Sequence, residues 1–120
     1  MERRRATPAQ RAGDGAEDRA ARFLERHGVR IVARNYRTRL GEIDLVGYEG
    51  PTLVFVEVRL RSASRFGGGA ESVDLRKQRR IGMAARHFLM TLGHEPACRF
   101  DVVSLERDEP TWIRGAFETA

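Results

Sequence analysis

The sequence has little sulfur and no long apolar run. Cys98 is its only cysteine among 120 residues, so no disulfide can form within the chain, which fits a reducing cytoplasm. No stretch is apolar enough for long enough to cross a bilayer. The N-terminal Met1-Glu2-Arg3-Arg4-Arg5 is basic, but no apolar stretch follows it and no secretory signal is expected. The histidines, His27, His87 and His94, lack metal-ligand spacing, and neither a helix-turn-helix nor a zinc finger can be read. Repeats and low-complexity tracts are absent. The length suits one domain and is too short for two.

What is present is charge on a workable core. Hydrophobic residues make up 41% of the chain and charged residues 32%. Net formal charge is +5 and the isoelectric point is about 10.5. This balance favours a polyanionic partner: DNA, RNA or an anionic membrane surface. An arginine-rich composition alone also produces it, so charge does not identify the partner.

Hydrophobic periodicity predicts the elements. Residues 1–13 read as a flexible basic arm and residues 14–120 as a single domain. Asp14 is a plausible N-cap for a helix to His27, with Ala16, Ala20, Phe23 and Leu24 at helical spacing and Gly28 as its stop. Glu17 lies at the rim of that stripe. Strands are expected at Val29–Tyr36, Gly41–Gly47 and Thr52–Leu60, the last apolar enough to be buried on both faces. A polar loop, Arg61–Ala70, leads to a long helix from Ser72 or Asp74 to Leu92. Arg99–Leu105 is another strand, and Thr111–Ile113 a short final one. The order α-β-β-β-α-β predicts an α/β domain, a central mixed sheet flanked by helices.

Two carboxylates sit where apolar residues are expected: Asp44 within Ile43-Asp44-Leu45-Val46, and Glu57 within Val54-Phe55-Val56-Glu57-Val58. A buried, unpaired carboxylate costs several kcal/mol. Two like charges ~4 Å apart repel by roughly 4 kcal/mol at an effective dielectric near 20. Such a cluster therefore calls for a bound cation, a raised pKa or a basic neighbour. Alternation along a strand puts Glu57 and Arg59 on one face, where Asp44 can join them from the next strand. Oxygen ligands of this kind suit Mg²⁺ or Mn²⁺. The plainer alternative is an ordinary Glu57–Arg59 salt bridge. Asp101 interrupts its strand in the same way and reads as a structural partner for Arg99.

The series Gly15-Ala16-Glu17, Gly41-Glu42-Ile43-Asp44-Leu45, Phe55-Val56-Glu57-Val58-Arg59 and Arg99-Phe100-Asp101-Val102 resembles the bacterial YraN family. Asn35-Tyr36-Arg37, Phe66-Gly67, Lys77 and Ala116-Phe117 add to the match, which covers the chain from Gly13 onward. That family resembles the PD-(D/E)xK nucleases, and among them the Holliday junction resolvases. The resemblance implies a restriction-endonuclease-like fold and metal-dependent cleavage of nucleic acid, DNA before RNA and not a membrane partner. It implies Asp44 and Glu57 as metal ligands, Glu17 as a helix carboxylate assisting them, and a homodimer, as in the resolvases.

The motif's usual lysine is Arg59 here. Arginine stays protonated at neutral pH and cannot act as a general base, although its planar donors can clamp a phosphate. Two expectations follow: an active nuclease, or a nucleic-acid-binding module that has lost catalysis. Lys77, at the start of the second helix, is a candidate replacement, or one more cation in the solvated run Arg76–Arg80. Arg61, Arg65, Arg76, Lys77, Arg79 and Arg80 are expected to track phosphates around the site, or to form a solvated charged face.

Overall fold

The expected helices and strands resolve in a computed structural model, which describes residues 8–61, 73–106 and 109–119. Among these the chain runs α1 (Pro8–Arg26), β1 (Val29–Arg37), β2 (Glu42–Glu49), β3 (Thr52–Arg61), α2 (Leu75–Met90), β4 (Cys98–Glu106) and β5 (Glu109–Phe117). The strands form one sheet in the order β1-β2-β3-β4-β5. Neighbours are antiparallel except β3 and β4, which run parallel with α2 in the connection between them. This is the mixed sheet with flanking helices expected from the sequence, and it is compatible with a restriction-endonuclease-like architecture. No helix among the described residues is long and apolar enough to cross a membrane.

Two elements differ from expectation by more than two residues. Helix α1 starts at Pro8, not Asp14, so residues 8–13, expected in a flexible arm, are helical. Proline suits a first helical turn because its φ is already fixed and its missing N–H would have had no partner. Residues 1–7 lie outside the described residues. Strand β5 has nine residues where three were expected. It bends at Gly115, whose φ of +61° needs glycine, and the β4–β5 register shifts between Phe100 and Val102.

Strand alternation divides the core between the two helices. Val54, Val56 and Val58 of β3 pack with Ala16, Ala20, Ala21 and Leu24 of α1. Leu53 and Phe55, of the other parity, pack with Ile81, Ala84 and Ala85 of α2. Aromatic rings cross the α2 face from Tyr36 through Phe88, Phe55 and Phe100 to Phe117, with neighbouring centroids 5.1, 6.0, 5.4 and 5.3 Å apart. Glu57 and Arg59 continue the parity of Leu53 and Phe55, which aims them at the side of the sheet that α2 covers. The turn between β1 and β2 is fixed against the same helix. A Cβ on Gly41 would fall 1.9 Å from the carbonyl oxygen of Arg80, so only glycine allows this approach.

Asp101 is fully buried and fully satisfied. Its carboxylate accepts from Arg99 Nε and Nη2, Trp112 Nε1 and the Gly115 backbone N–H, each at 2.9 Å. Arg99 also donates to Glu49 at 2.7 Å, and Arg114 to both Glu49 oxygens at 3.1 and 2.9 Å. Arg114 and Arg99 together hold the Glu49 carboxyl down at about 2. Asp101 thus ties β4 to β5 and has the structural role expected of it. Asp101→Ala leaves its buried donors without acceptors and is expected to cost about 3–5 kcal/mol. Urea denaturation measures this, and a loss under about 1 kcal/mol would contradict the assignment.

Candidate functional site

Antiparallel pairing of Leu45 with Val56 brings the next residues, Asp44 and Glu57, opposite one another on one face. Asp44 Oδ2 accepts the Val58 backbone N–H at 2.8 Å, so this carboxylate occupies a ladder donor at the point where the two strands part. Glu57 is only 4% exposed. The two carboxyl groups are neighbours across the strand pair. Burial first, then the charge and hydrogen bonding of Glu57, push Asp44 up to about 8, against the lowering effect of the Val58 N–H. Asp44 therefore keeps its proton to near neutral pH, because its ionised form would be desolvated and repelled by its acidic neighbour.

The basic partners come from two elements. Lys77 Nζ lies 2.5 Å from Glu57 Oε2. Arg59 Nη1, two residues along β3 from Glu57, is 4.0 Å from the same oxygen. Lys77 is placed by the first turn of α2, where Asp74 caps the helix and accepts the Lys77 N–H at 2.8 Å. Despite these charges, Glu57 Oε2 is buried without a well-directed hydrogen bond. The ammonium is close but off the line a hydrogen bond requires. An anionic oxygen with unfilled acceptor capacity beside a second carboxyl is a donor set that fits a hard divalent cation, which commonly takes one or two carboxylates plus water and phosphate oxygens.

Glu17 belongs to the same electrostatic field, and its charge adds to the upward pressure on Asp44. Its Oε2 accepts from Asn35 Nδ2 at 2.8 Å. Asn35 stands at φ +52°, a left-handed conformation that asparagine tolerates better than most residues. No three His, Cys, Asp or Glu side chains among the described residues gather as a metal-ligand group. The expected cluster of Glu17, Asp44 and Glu57 therefore resolves into a contacting pair and a third carboxylate engaged by Asn35. Repulsion from the pair and attraction to the Asn35 amide both favour that arrangement.

Arg76, Lys77 and Arg80 line a cavity of about 400 Å³ together with Glu42, Asp74 and Ile81. Lys77 joins this basic cavity to the acid pair. The Arg61 side chain, Arg65 and the triple-glycine segment lie outside the described residues. His27 bonds the Phe23 carbonyl at 2.8 Å, and His87 meets the Tyr36 hydroxyl, so both have structural partners. Sequence reasoning did not single out Asn35 as a positioning residue. It leaned towards a solvated cation for Lys77, although one signal pointed the other way: Lys77 is the only lysine in the chain.

Fold and site together define an α/β protein whose mixed sheet sets an acid pair, Glu57 buried and Asp44 partly so, against a helix-borne lysine. The chain belongs to the uncharacterised protein family UPF0102, whose model matches residues 16–105; this is the family called YraN above. It is 55% identical to a UPF0102 protein of Cupriavidus pinatubonensis, over 91% of this chain and 87% of the relative. It is 54% identical to one of Dechloromonas aromatica, over 88% and 87%, and 50% identical to one of Nitrosospira multiformis, over 88% and 92%.

The raised Asp44 pKa has a consequence for stability. The folded chain keeps a proton that the unfolded chain releases between the ordinary aspartate value and about 8. Its contribution to stability is therefore lost as pH rises through that window. Asp44→Asn removes the titration and keeps an acceptor for Val58. Without divalent metal, the variant is expected to match the parent near pH 4 and exceed it by about 1–3 kcal/mol at pH 8. Urea denaturation in EDTA across this range checks it, and parallel curves for the two proteins would refute the raised pKa.

Proposed function

We propose that this protein is a metal-dependent phosphodiesterase acting on nucleic acid, DNA before RNA, in the bacterial cytoplasm. The observation that carries this reading is the Asp44–Glu57 pair, with a buried, under-satisfied Glu57 oxygen, next to a cavity where Arg76, Lys77 and Arg80 outnumber Glu42 and Asp74. The single cysteine supports the compartment. Asp44 and Glu57 would hold Mg²⁺ or Mn²⁺. When bound, the cation supplies an activated water and neutralises charge on the scissile phosphate. Asn35 orients Glu17, which biases the charge of the pair from α1. Lys77 takes the electrostatic part of the lysine that the strand motif lacks: it touches Glu57 and also lines the basic cavity, where a phosphate can sit. Arg59 steadies phosphate charge but takes no proton.

The second reading, a binding module without catalysis, is favoured by one feature: the motif position holds Arg59. The readings separate in a cleavage assay with Mn²⁺ or Mg²⁺ on single-stranded, duplex, flapped and four-way-junction DNA. The nuclease reading expects cutting of at least one substrate, reduced about 100-fold or more by Asp44→Ala and by Glu57→Gln, and roughly 10- to 100-fold by Lys77→Ala. Salt-sensitive binding with no cutting, even in Arg59→Lys, would transfer the conclusion to the second reading.

A further inference from the structure

A second concavity, of about 850 Å³, opens further along α2 and is lined by Arg37, Thr38, Arg39, Leu40, Met83 and His87. One wall is the β1–β2 turn, which Thr38 stiffens. The Thr38 N–H donates to the Gly41 carbonyl at 2.8 Å, and the Thr38 hydroxyl oxygen accepts from the Leu40 and Gly41 N–H groups at 3.2 and 3.1 Å. The other wall is α2, brought close at Gly41 and Arg80. His87 is held by the Tyr36 hydroxyl. This concavity is therefore built from fixed parts, and its volume is in the usual range for a small-ligand site.

Its lining has two chemistries. Leu40 and Met83 are apolar yet 59% and 39% exposed, and with the His87 ring they offer a surface for a flat, weakly polar group. Arg37 and Arg39 flank them, and none of the six lining residues is acidic. Arg37 pairs with Glu42 at 3.3 Å, but both side chains are largely exposed and such a pair is worth little. Lys77, Arg80, Met83 and His87 recur at spacings of three and four on one helical stripe. That stripe runs about 15 Å, at 1.5 Å per residue, from the ion-pair partner of Glu57 through the first cavity to the second.

We infer that this groove holds an unpaired nucleotide of a nucleic-acid strand, its base against Leu40, Met83 and His87 and its flanking phosphates on Arg37, Arg39 and Arg80. A flat heterocycle joined to anionic phosphates matches the paired apolar and cationic linings, and a base reaches such a pocket only when free of its partner. The inference deepens the nucleic-acid reading above by naming single-stranded or flapped segments as the substrate class. It does not require cleavage.

The test is fluorescence anisotropy in EDTA, with a short labelled single-stranded DNA, its RNA counterpart and the matching duplex. The double variant Leu40→Ser/Met83→Gln removes the apolar floor without changing charge, and its thermal melt verifies folding. It is expected to weaken single-strand binding about tenfold, the usual scale for losing one base contact, and to change duplex binding less than about twofold. Arg39→Ala is expected to lower the salt slope for the single strand by about 1. The stronger of the DNA and RNA arms identifies the strand's source. Undiminished single-strand binding in the double variant, an equal loss for duplex, or no single-strand binding by the parent protein would each overturn the inference. Because binding is read in EDTA, where no metal-dependent cutting occurs, cleavage can fail without the groove failing, and the groove without cleavage.

Discussion

The contact between Asp44 and Glu57 is the constraint on which the rest of the site depends. Two carboxyl groups meet where β2 and β3 separate, one of them almost wholly removed from solvent. Such a pair has three ways to lower its energy: keep a proton, recruit a cation, or draw in a basic side chain. The chain uses the first and third together. The proton resides mainly with Asp44, where burial favours the neutral form, and Lys77 approaches Glu57 from α2. Neither device fills the second Glu57 oxygen with a directed hydrogen bond, which leaves capacity that a divalent cation can use.

Asp101 shows what a structural acid looks like in the same sheet. In sequence, Asp44 and Asp101 give the same signal, one carboxylate inside an apolar strand. In the fold, Asp101 has four donors on its two oxygens, whereas Asp44 has one backbone donor and an acidic neighbour. Of the Asp101 donors, only Arg99 is near in sequence. Trp112 and Gly115 arrive with β5, whose length the short apolar run at Thr111–Ile113 did not reveal. Strand alternation identified Glu57 and Asp101 as buried acids, whereas Asp44, at an equally apolar position, is only partly covered. Whether each is satisfied depends on pairing between distant segments, which periodicity does not encode.

The same limit applies to the basic residues. Alternation correctly placed Arg59 beside Glu57, and the helix stripe correctly placed α2 over the sheet. The closer cation is nevertheless Lys77, twenty residues from Glu57 in sequence by their numbers and separated by 2.5 Å in space. Within Arg76-Lys77-Gln78-Arg79-Arg80 the lysine stands out only by its side-chain type, which does not say where it points. The cap at Asp74 decides its direction, by fixing where the first turn of α2 begins. The same geometry explains why helix starts mattered more than strand limits. Moving β3's end by one residue changes little, but a shift of one residue in the start of α2 would rotate Lys77 about 100° around the helix axis, at 3.6 residues per turn.

Stability and chemistry occupy separate parts of this fold. The segment matched by the family model, residues 16–105, contains Glu17, Asn35, Asp44, Glu57 and Lys77. It also contains Asp101 and Arg99, but not Trp112 or Gly115, which complete the Asp101 shell from β5. The candidate site is thus assembled from α1, β1, β2, β3 and α2, while Arg99, Asp101, Trp112 and Arg114 of β4 and β5 form an ion network with Glu49 at the far end of β2. That network holds β4 in parallel register with β3, and β3 carries Glu57. A fully satisfied carboxylate on β4 gives the sheet the rigidity with which β3 can hold an unsatisfied one. Neutralising Asp101 and neutralising Asp44 therefore act in opposite directions: the first removes an acid that the fold needs, the second relieves repulsion between two neighbouring carboxyl groups.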